Sequence, residues 1–332
     1  MRLRIALVLA ALVALALVPA SPALAQEWPT RPVLVIHPFR PGGGGEQMVR
    51  LLLDRLSRDM GQQFVIENRA GAGGAIGAGV VARARPDGYT LLVSGIATNV
   101  VVPVMLSVPF DSMKDFTHIA LLGGPPQVLT VHPAFDAKTL RQYVELSRAR
   151  PEAIAYGSPG SGTHGHLIGE LFQSLTGARM LHVPYSGGGP AAADLVAGHI
   201  PSAFLSLGAV SQYLRVGKLL ALAVTATKRV PDFPDLPTFA ELGYKELNAI
   251  TWFGLSGPAG LPRAIVVKLN AEVRAVLAQP DVRGKLLAEG IEPGDLDADG
   301  FTEFVRAEIA RWSPLARAAK ERSAAAGKSP AR

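Results

Sequence analysis

Short apolar runs alternate with segments of helical periodicity along most of this chain, and that alternation most restricts its fold. The runs 33–37, 63–67 and 89–94 are separated by helical patterns over 46–60 and 74–84. Strands that alternate with helices in this way are typical of an α/β fold with a mainly parallel sheet. The same alternation starts again after a Gly-Gly-Pro-Pro break at residues 123–126.

A chain of 332 residues is too long for one ordinary hydrophobic core. We therefore expect two lobes, with lobe 1 at 26–122 plus 253–332 and lobe 2 at 123–252. The chain then crosses between the lobes twice, near 118–123 and 249–254. Two crossings form a hinge, and hinged α/β lobes leave a cleft at the carboxyl ends of their strands.

Residues 1–25 have the three parts of a secretory signal peptide. Arg2 and Arg4 supply the positive region, 5–18 are apolar, and 23–25 form an A-x-A cleavage site. The apolar run is shorter than the roughly 20 residues that span a bilayer. Because the chain has no cysteine, disulfides and a lipid-anchored cysteine are excluded. The sequence predicts a periplasmic, soluble protein without a lipid anchor.

Composition favours a small anion over a nucleic acid as the partner. The formal charge is +6 and aromatic residues make up 6% of the chain, without the interleaving of aromatic and basic residues typical of nucleic-acid surfaces. The last residues, 319–332, are rich in Ala, Lys, Arg and Ser and lack an apolar face. We expect this tail to be disordered.

Three glycine-rich loops, each between a strand and a helix, are the candidate binding elements. They lie within the segments 38–56, 156–172 and 182–200. Such a loop directs unpaired backbone N–H groups and the positive end of the helix dipole at one point, which suits a carboxylate or phosphate. The structural alternatives are plain strand-to-helix turns and a helix cap at Ser161 or Thr163.

Other chemistries have weaker support. Residues 77–82 match the dinucleotide fingerprint in form, but more glycines precede them instead of a strand, so no cofactor is expected. His164 and His166 have no third ligand nearby, so no metal is expected. The G-x-S-x-G elbow of many serine hydrolases is absent. A hydrolase using Ser158 or Ser161 stays the enzymatic alternative, since triads are defined by geometry.

Segments throughout the chain resemble the periplasmic solute-binding proteins of tripartite tricarboxylate transporters, the Bug or TctC family. The resemblance extends over about 26–318, and its specificity comes from the order and spacing of the segments. They are WPTRPVLVIHPFRPGGGG, GQQFVIENRAGAGGAIGA, PDGYTLL, KDFTHIALLG, YGSPGSGTHGHLIGELF, HVPYSGGGPAAADLVAGHI, GKLLALAV, LPTFAELGY, WFGLSGPAGLP and EIARW.

The resemblance implies a two-lobed, type II-like Venus-flytrap fold that binds a small organic carboxylate without catalysis. The implied partners are the membrane subunits of a transporter, or a sensor kinase, and the protein is expected to be a monomer. The implied ligand-binding residues of the first lobe are Phe39, Pro41, Gly43, Gly44, Gly45, Glu46, Ser94, Ala97 and Thr98. Those of the second lobe are Ser158, Gly160, Thr163, His164, Gly165, Tyr185, Ser186, Gly187, Leu205 and Ser206.

The chain departs from the family pattern at the ligand loops. Gly45 and Glu46 stand where the family usually has Thr or Ser followed by Asp. If Glu46 faces the cleft, it repels a carboxylate or attracts an amine. Leu205 stands where relatives often have Asp, which argues against an amino-acid ligand, and His164 replaces a smaller polar residue.

Overall fold

The computed structural model describes residues 28–39, 41 and 45–326, and it confirms the two-lobed α/β fold. Two five-stranded sheets, each covered by helices, form the two lobes. The predicted signal peptide at 1–25 lies outside the described residues.

The first sheet has the strand order β2-β1-β3-β10-β4, numbered along the chain. Its strands are β1 (Val33–His37), β2 (Phe64–Asn68), β3 (Thr90–Gly95), β4 (Phe116–Gly123) and β10 (Phe253–Pro258). Strands β1, β2 and β3 run parallel, whereas β10 is antiparallel to both of its neighbours. The sheet is therefore mixed. Its antiparallel strand, β10, is the one that the chain adds after it has returned from the second lobe.

The helical patterns over 46–60 and 74–84 are confirmed as the first two helices of this lobe, whereas the helical segments over 97–105 and 280–288 were not predicted. The helices of this lobe are α1 (Glu46–Asp59), α2 (Ala75–Ala82), a π-helical turn (Ala97–Val101) that continues as α3 (Val102–Met105), α8 (Arg263–Ala278), α9 (Pro280–Ala288) and α10 (Ala298–Ala326). In α1 the buried apolar side chains recur at three- and four-residue intervals, which turns one face of the helix onto the sheet.

The second sheet repeats this plan with the order β7-β6-β8-β5-β9. Its strands are β5 (Gln127–Val131), β6 (Ile154–Ser158), β7 (Met180–Pro184), β8 (Ser202–Ser206) and β9 (Leu220–Val224). Its helices are α4 (Leu140–Ala149), α5 (His164–Thr176), α6 (Gly188–Val196) and α7 (Leu207–Arg215). Strand β5 is antiparallel to β8 and β9, just as β10 is in the first sheet.

The first crossing lies at 124–126, directly after the residues near which it was predicted, 118–123. Those residues belong to β4, a nearly fully buried strand of the first sheet that the sequence reading did not identify. The chain returns after β9 along a segment that ends at Trp252. The two crossing segments touch, because Pro126 and Ile250 form an antiparallel bridge.

The last helix extends into the tail that was expected to be disordered. It continues to Ala326, so the expectation of disorder is wrong for 319–326, while 327–332 lie outside the described residues. Alanine has the highest helix propensity, and Ala316 and Ala319 are buried against the rest of the protein. Among the described residues, no helix combines the length and hydropathy that crossing a membrane requires.

Candidate functional site

The predicted site loops lie at the ends of strands that face each other across the two lobes. They follow β1 and β3 in the first lobe and β6, β7 and β8 in the second. The lobes approach closely there: a Cβ built on Gly162 of the second lobe would lie 3.5 Å from Val101 Cγ1 of the first. The structure therefore brings the loop after β6 of one sheet next to the helical turn after β3 of the other.

Four helices begin at these loops without a side-chain cap. The N-cap residues are Gly45 for α1, Thr163 for α5, Gly187 for α6 and Ser206 for α7, and none has a side chain that accepts a hydrogen bond from the first turn of its helix. The Thr163 hydroxyl instead donates to Gly160 O at 2.7 Å. First-turn N–H groups that no N-cap side chain accepts are the groups that bind anions at helix N-termini.

The first-lobe loop carries a buried acid whose charge is paired. Glu46 is 3% exposed and accepts from Arg50 Nε at 2.9 Å along the first turn of α1. Burial lowers the pKa of neighbouring His37, although the charge of Glu46 opposes this effect. Phe39 is half-buried and Pro41 is exposed. Gly43 and Gly44 lie outside the described residues.

Gly45 is a glycine because an aromatic ring fills the space beside it. A Cβ at this position would overlap the ring of Phe253, the first residue of β10. The backbone itself is ordinary, with φ −106°, so the constraint is steric and not conformational. Phe253 is 9% exposed, and its ring also lies 3.6 Å from a Cβ built on Gly95 at the end of β3. The ring of Phe253 therefore forms an aromatic surface beside Gly45 in the first lobe.

Ser94, near the end of β3, is the first residue of a buried hydrogen-bonded chain of three polar side chains in the first lobe. Its buried hydroxyl lies 2.8 Å from Ser256 Oγ, which lies 3.0 Å from His118 Nδ1. Burial lowers the pKa of His118 to about 4, so this imidazole is neutral at physiological pH. The side chain of Ser94 thus has partners behind the cleft.

The π-helical turn after β3 fixes an amide that sequence reasoning missed. Asn99 Oδ1 accepts from the Gly95 N–H at 3.2 Å and from Thr98 Oγ1 at 2.8 Å. Its buried Nδ2 has no hydrogen-bond partner among the described residues. Of the predicted Ala97 and Thr98, only Ala97 is partly exposed. Nothing in the sequence around Asn99 indicates that its side chain binds the Gly95 N–H and the Thr98 hydroxyl.

The second-lobe loop is tied down by side-chain hydrogen bonds. Ser158 is buried, and its Oγ lies 2.7 Å from His182 Nε2 and accepts from the Gly160 N–H at 3.2 Å. The Gly162 N–H donates to His166 Nδ1 at 3.1 Å. The sequence favours a capping or packing role for His166 over a metal ligand, whereas it gives no indication of the role of His182.

His164 faces the crossing segments of the chain and not the loop that precedes it. Its Nδ1 lies 2.8 Å from Thr251 Oγ1, and its ring packs edge-on against Trp312 of α10 with centroids 5.2 Å apart. Burial lowers the pKa of His164 to about 3. Gly165 behind it accommodates close backbone packing, since a Cβ there would lie 2.5 Å from Phe204 O.

The remaining predicted residues divide between surface and core. The Tyr185 hydroxyl donates to Asp194 Oδ2 at 2.8 Å, Ser186 is exposed, and Gly187 and Ser206 are partly exposed. Leu205 is fully buried in a hydrophobic cluster with residues of α6 and α7. The structure therefore does not bring the side chain of Leu205 to the cleft.

The hinge contains a buried carboxylate that the sequence did not reveal. Glu308 Oε2 accepts from Trp252 Nε1 at 3.0 Å and from Trp312 Nε1 at 2.9 Å. Burial raises the pKa of Glu308, against the opposing effect of Arg311. These bonds join the last helix to the second crossing segment. Within the described residues, no three His, Asp or Glu side chains come together as a metal site would need.

Comparison with known protein families identifies the family to which the chain belongs. The model of the tripartite tricarboxylate transporter family receptor, TctC, matches residues 48–320, and the chain belongs to this family of periplasmic solute-binding proteins. Protein BugT of Bordetella pertussis is 37% identical over 90% of this chain and 92% of its own length. The predicted family is thereby confirmed.

Two solved structures are similar to this chain and contain carboxylates. Rpa4515 of R. palustris, with adipate, has a TM-score of 0.81 and 35% identity over 88% of this chain and 98% of its own. MatC of Rhodopseudomonas palustris, with bound malate, has a TM-score of 0.78 and 32% identity over 87% of this chain and all of its own.

Proposed function

We propose that this chain captures a small organic carboxylate in the cleft between its lobes, outside the cytoplasm, and presents it to a membrane partner. The observation that carries the proposal is the set of four helix N-termini, two of them with Thr163 and Ser206 as N-caps, that face the cleft loops without side-chain caps. A carboxylate accepts hydrogen bonds only, so backbone N–H groups complement it without a basic side chain.

The proposed ligand contacts are those expected from the sequence, with backbone groups in the leading role. Phe39 and Gly45, Ala97, Thr163, Ser186 and Ser206 represent the five loops, which follow β1, β3, β6, β7 and β8 in that order. At His164 and Leu205 we propose backbone contacts only, because both side chains are buried among other partners. Gly43 and Gly44 stay in the proposed site on the strength of the sequence alone.

The ligand we favour has an apolar body beside its carboxylate. The ring of Phe253 fills the position beside Gly45, so the first lobe offers an aromatic surface in place of a hydroxyl. The charge of Glu46 is paired with Arg50, which leaves it poorly suited to attract an ammonium group. Adipate and malate, bound by the two similar proteins, are the natural first probes.

Lobe 1 is proposed to comprise 26–122 plus 253–332, and lobe 2 123–252, with closure about the crossings. The proposed partners are the membrane subunits of a tripartite transporter, which would bind the closed, ligand-bound protein. The alternative partner is a sensor kinase that binds the same closed form. The signal-peptide pattern at 1–25 supports export. We propose that the protein acts as a monomer.

A hydrolase is disfavoured by the surroundings of Ser158. Ser158 is buried, and its hydroxyl forms hydrogen bonds with His182 and the Gly160 N–H. Burial and the nearby His166 lower the pKa of His182 to about 3, which makes that imidazole a weak general base. We therefore propose that the ligand leaves chemically unchanged.

A thermal-shift screen of the refolded protein against dicarboxylates, aromatic acids, amino acids and amides tests the proposal. An acid at 100 times its Kd adds roughly 2.7 kcal/mol of stability and raises the Tm by several degrees. A shift by carboxylates and not by the matching amides supports the proposal. A shift by amides or amino acids alone overturns the carboxylate assignment.

A further inference from the structure

Two imidazoles are stacked directly beneath the second-lobe loop. His166 from α5 and His182 from β7 have ring centroids 4.0 Å apart and planes inclined by only 14°. His166 is 3% exposed, and His182 is partly buried. Each ring holds a different end of the loop that runs from Ser158 to Thr163.

The hydrogen bond from Gly162 fixes the protonation of His166. A backbone N–H can only donate, so Nδ1 of His166 must be bare where it lies 3.1 Å from Gly162 N. The proton of the neutral ring is then on Nε2, which lies 3.6 Å from Glu170 Oε1. Glu170 also accepts from the Tyr156 hydroxyl at 3.3 Å. The carboxylate of Glu170 thus lies near Nε2 on one side of the ring, while Nδ1 accepts from the loop on the other.

His182 holds the beginning of the same loop. Its Nε2 lies 2.7 Å from Ser158 Oγ, and the same oxygen accepts from the Gly160 N–H at 3.2 Å. The stacked pair therefore fixes two backbone N–H groups of the loop, one through Ser158 and one directly. Neither ring needs to touch a ligand to do this.

We propose that His166 and His182 are positioning residues, whose neutral rings hold the 158–163 loop in the shape that binds the ligand. This inference rests on the proposed function, because it assigns the second-lobe loop to the ligand. It predicts that the geometry of one nitrogen on each ring matters more than the ring itself. That nitrogen is Nδ1 in His166 and Nε2 in His182.

Isosteric variants separate positioning from packing. His166→Asn keeps an oxygen acceptor near the place of Nδ1, whereas His166→Leu fills the space without an acceptor. His182→Gln and His182→Leu make the matching pair for Nε2. His132→Asn and His132→Leu are the controls, because His132 Nδ1 likewise accepts a backbone N–H, from Ala134 at 3.1 Å, beyond the far end of β5.

Two readouts are measured on each variant, the Kd for adipate by calorimetry and the amide shift of Gly162 by NMR without ligand. We expect the Leu variants to weaken adipate binding about tenfold and to move the Gly162 amide upfield in His166→Leu. The Asn and Gln variants should restore affinity, and both His132 variants should bind as the wild type does.

The two readouts distinguish failure of this inference from failure of the proposed function. Equal losses in His166→Asn and His166→Leu, or an unmoved Gly162 amide in His166→Leu, would overturn the positioning role. If the His166 variants fold poorly, the His182 pair decides with the same comparison. A wild-type protein that binds neither adipate nor any other carboxylate of the screen overturns the proposed function, and the Gly162 amide alone then decides the positioning role.

Discussion

The two lobes hold their cleft loops by different physical means. In the first lobe, Gly45 follows a glycine run and is packed against Phe253, so its position depends on the absence of a side chain. In the second lobe, Ser158 and Gly162 are held by hydrogen bonds to His182 and His166. The first loop should therefore be sensitive to added volume, and the second to lost hydrogen bonds and added protons.

The largest effect is expected from adding volume to the first loop. Gly45→Ala forces its methyl group into the Phe253 ring, and overpacking of this kind costs about 1–3 kcal/mol of unfolding free energy. Chemical denaturation measures the loss. Gly189→Ala is the matched control in the second lobe, because a Cβ there has no neighbour within 4 Å among the described residues.

A double variant sharpens the same test. Phe253→Leu removes part of the ring that the new methyl group meets. If Gly45 and Phe253 compete for one space, Gly45→Ala costs less in the Phe253→Leu background than in the wild type. Strictly additive costs would show that the ring is not the obstacle.

Protons should destabilise the region behind the second loop. The pKa of His164 is lowered by burial to about 3, whereas in the unfolded chain it returns to about 6.5. Between these values only the unfolded chain binds the proton, so the free energy of unfolding falls as the pH drops from 6.5. The slope is about 1.4 kcal/mol per pH unit, or about 2 kcal/mol by pH 5.

His164→Asn isolates this contribution, since an amide does not titrate. The variant and the wild type are unfolded in urea at pH 7.5 and at pH 5.0. We expect the wild type to lose more stability than the variant over this interval. Equal losses would show that His164 takes up its proton in the folded state.

A smaller loss is expected from removing the second-loop hydroxyl. Ser158→Ala breaks the contact with His182 and leaves the Gly160 N–H without its side-chain acceptor, which costs about 1 kcal/mol. Its effect on carboxylate affinity should be larger than that of Ser161→Ala, because Ser161 is exposed on the same loop. Calorimetric titration with adipate compares the two, and equal effects would contradict the assigned support.

The smallest change in stability is expected from the hydrogen bond between Tyr185 and Asp194. Tyr185→Phe removes the hydrogen bond to Asp194, whose carboxylate is well exposed, so the stability change should stay below about 1 kcal/mol. Asp194→Asn is the matched variant, and it should have an effect of similar size. A loss of several kcal/mol in either would place this pair among the main supports of the loop.

The fold was predictable because periodicity and glycine breaks are written locally in the chain. Strand β4 was missed, since its run includes Thr117 and His118. His118 is tolerated there because its Nδ1 pairs with Ser256 Oγ of neighbouring β10 and its Nε2 donates to Ser112 O. The length of α10 was missed because contacts distant in sequence bury Ala316 and Ala319.

The site was only partly predictable, for the same reason. The glycine loops are local signals, and they lie where expected. The direction of the His164 side chain depends on Thr251, far away in the sequence, and the pairing of Gly45 with Phe253 is equally non-local. His182 lies within a strand, and nothing near it in the sequence indicates that it supports Ser158.

The central claim is that loops of both lobes grip a carboxylate through backbone N–H groups. The most direct measurement is an amide-shift titration by NMR with the acid that gives the largest thermal shift. The account predicts that the largest shifts occur together at Gly45, in the 158–165 segment and at Gly187, with saturation at one equivalent. Shifts confined to one lobe, or to residues away from these loops, would contradict it.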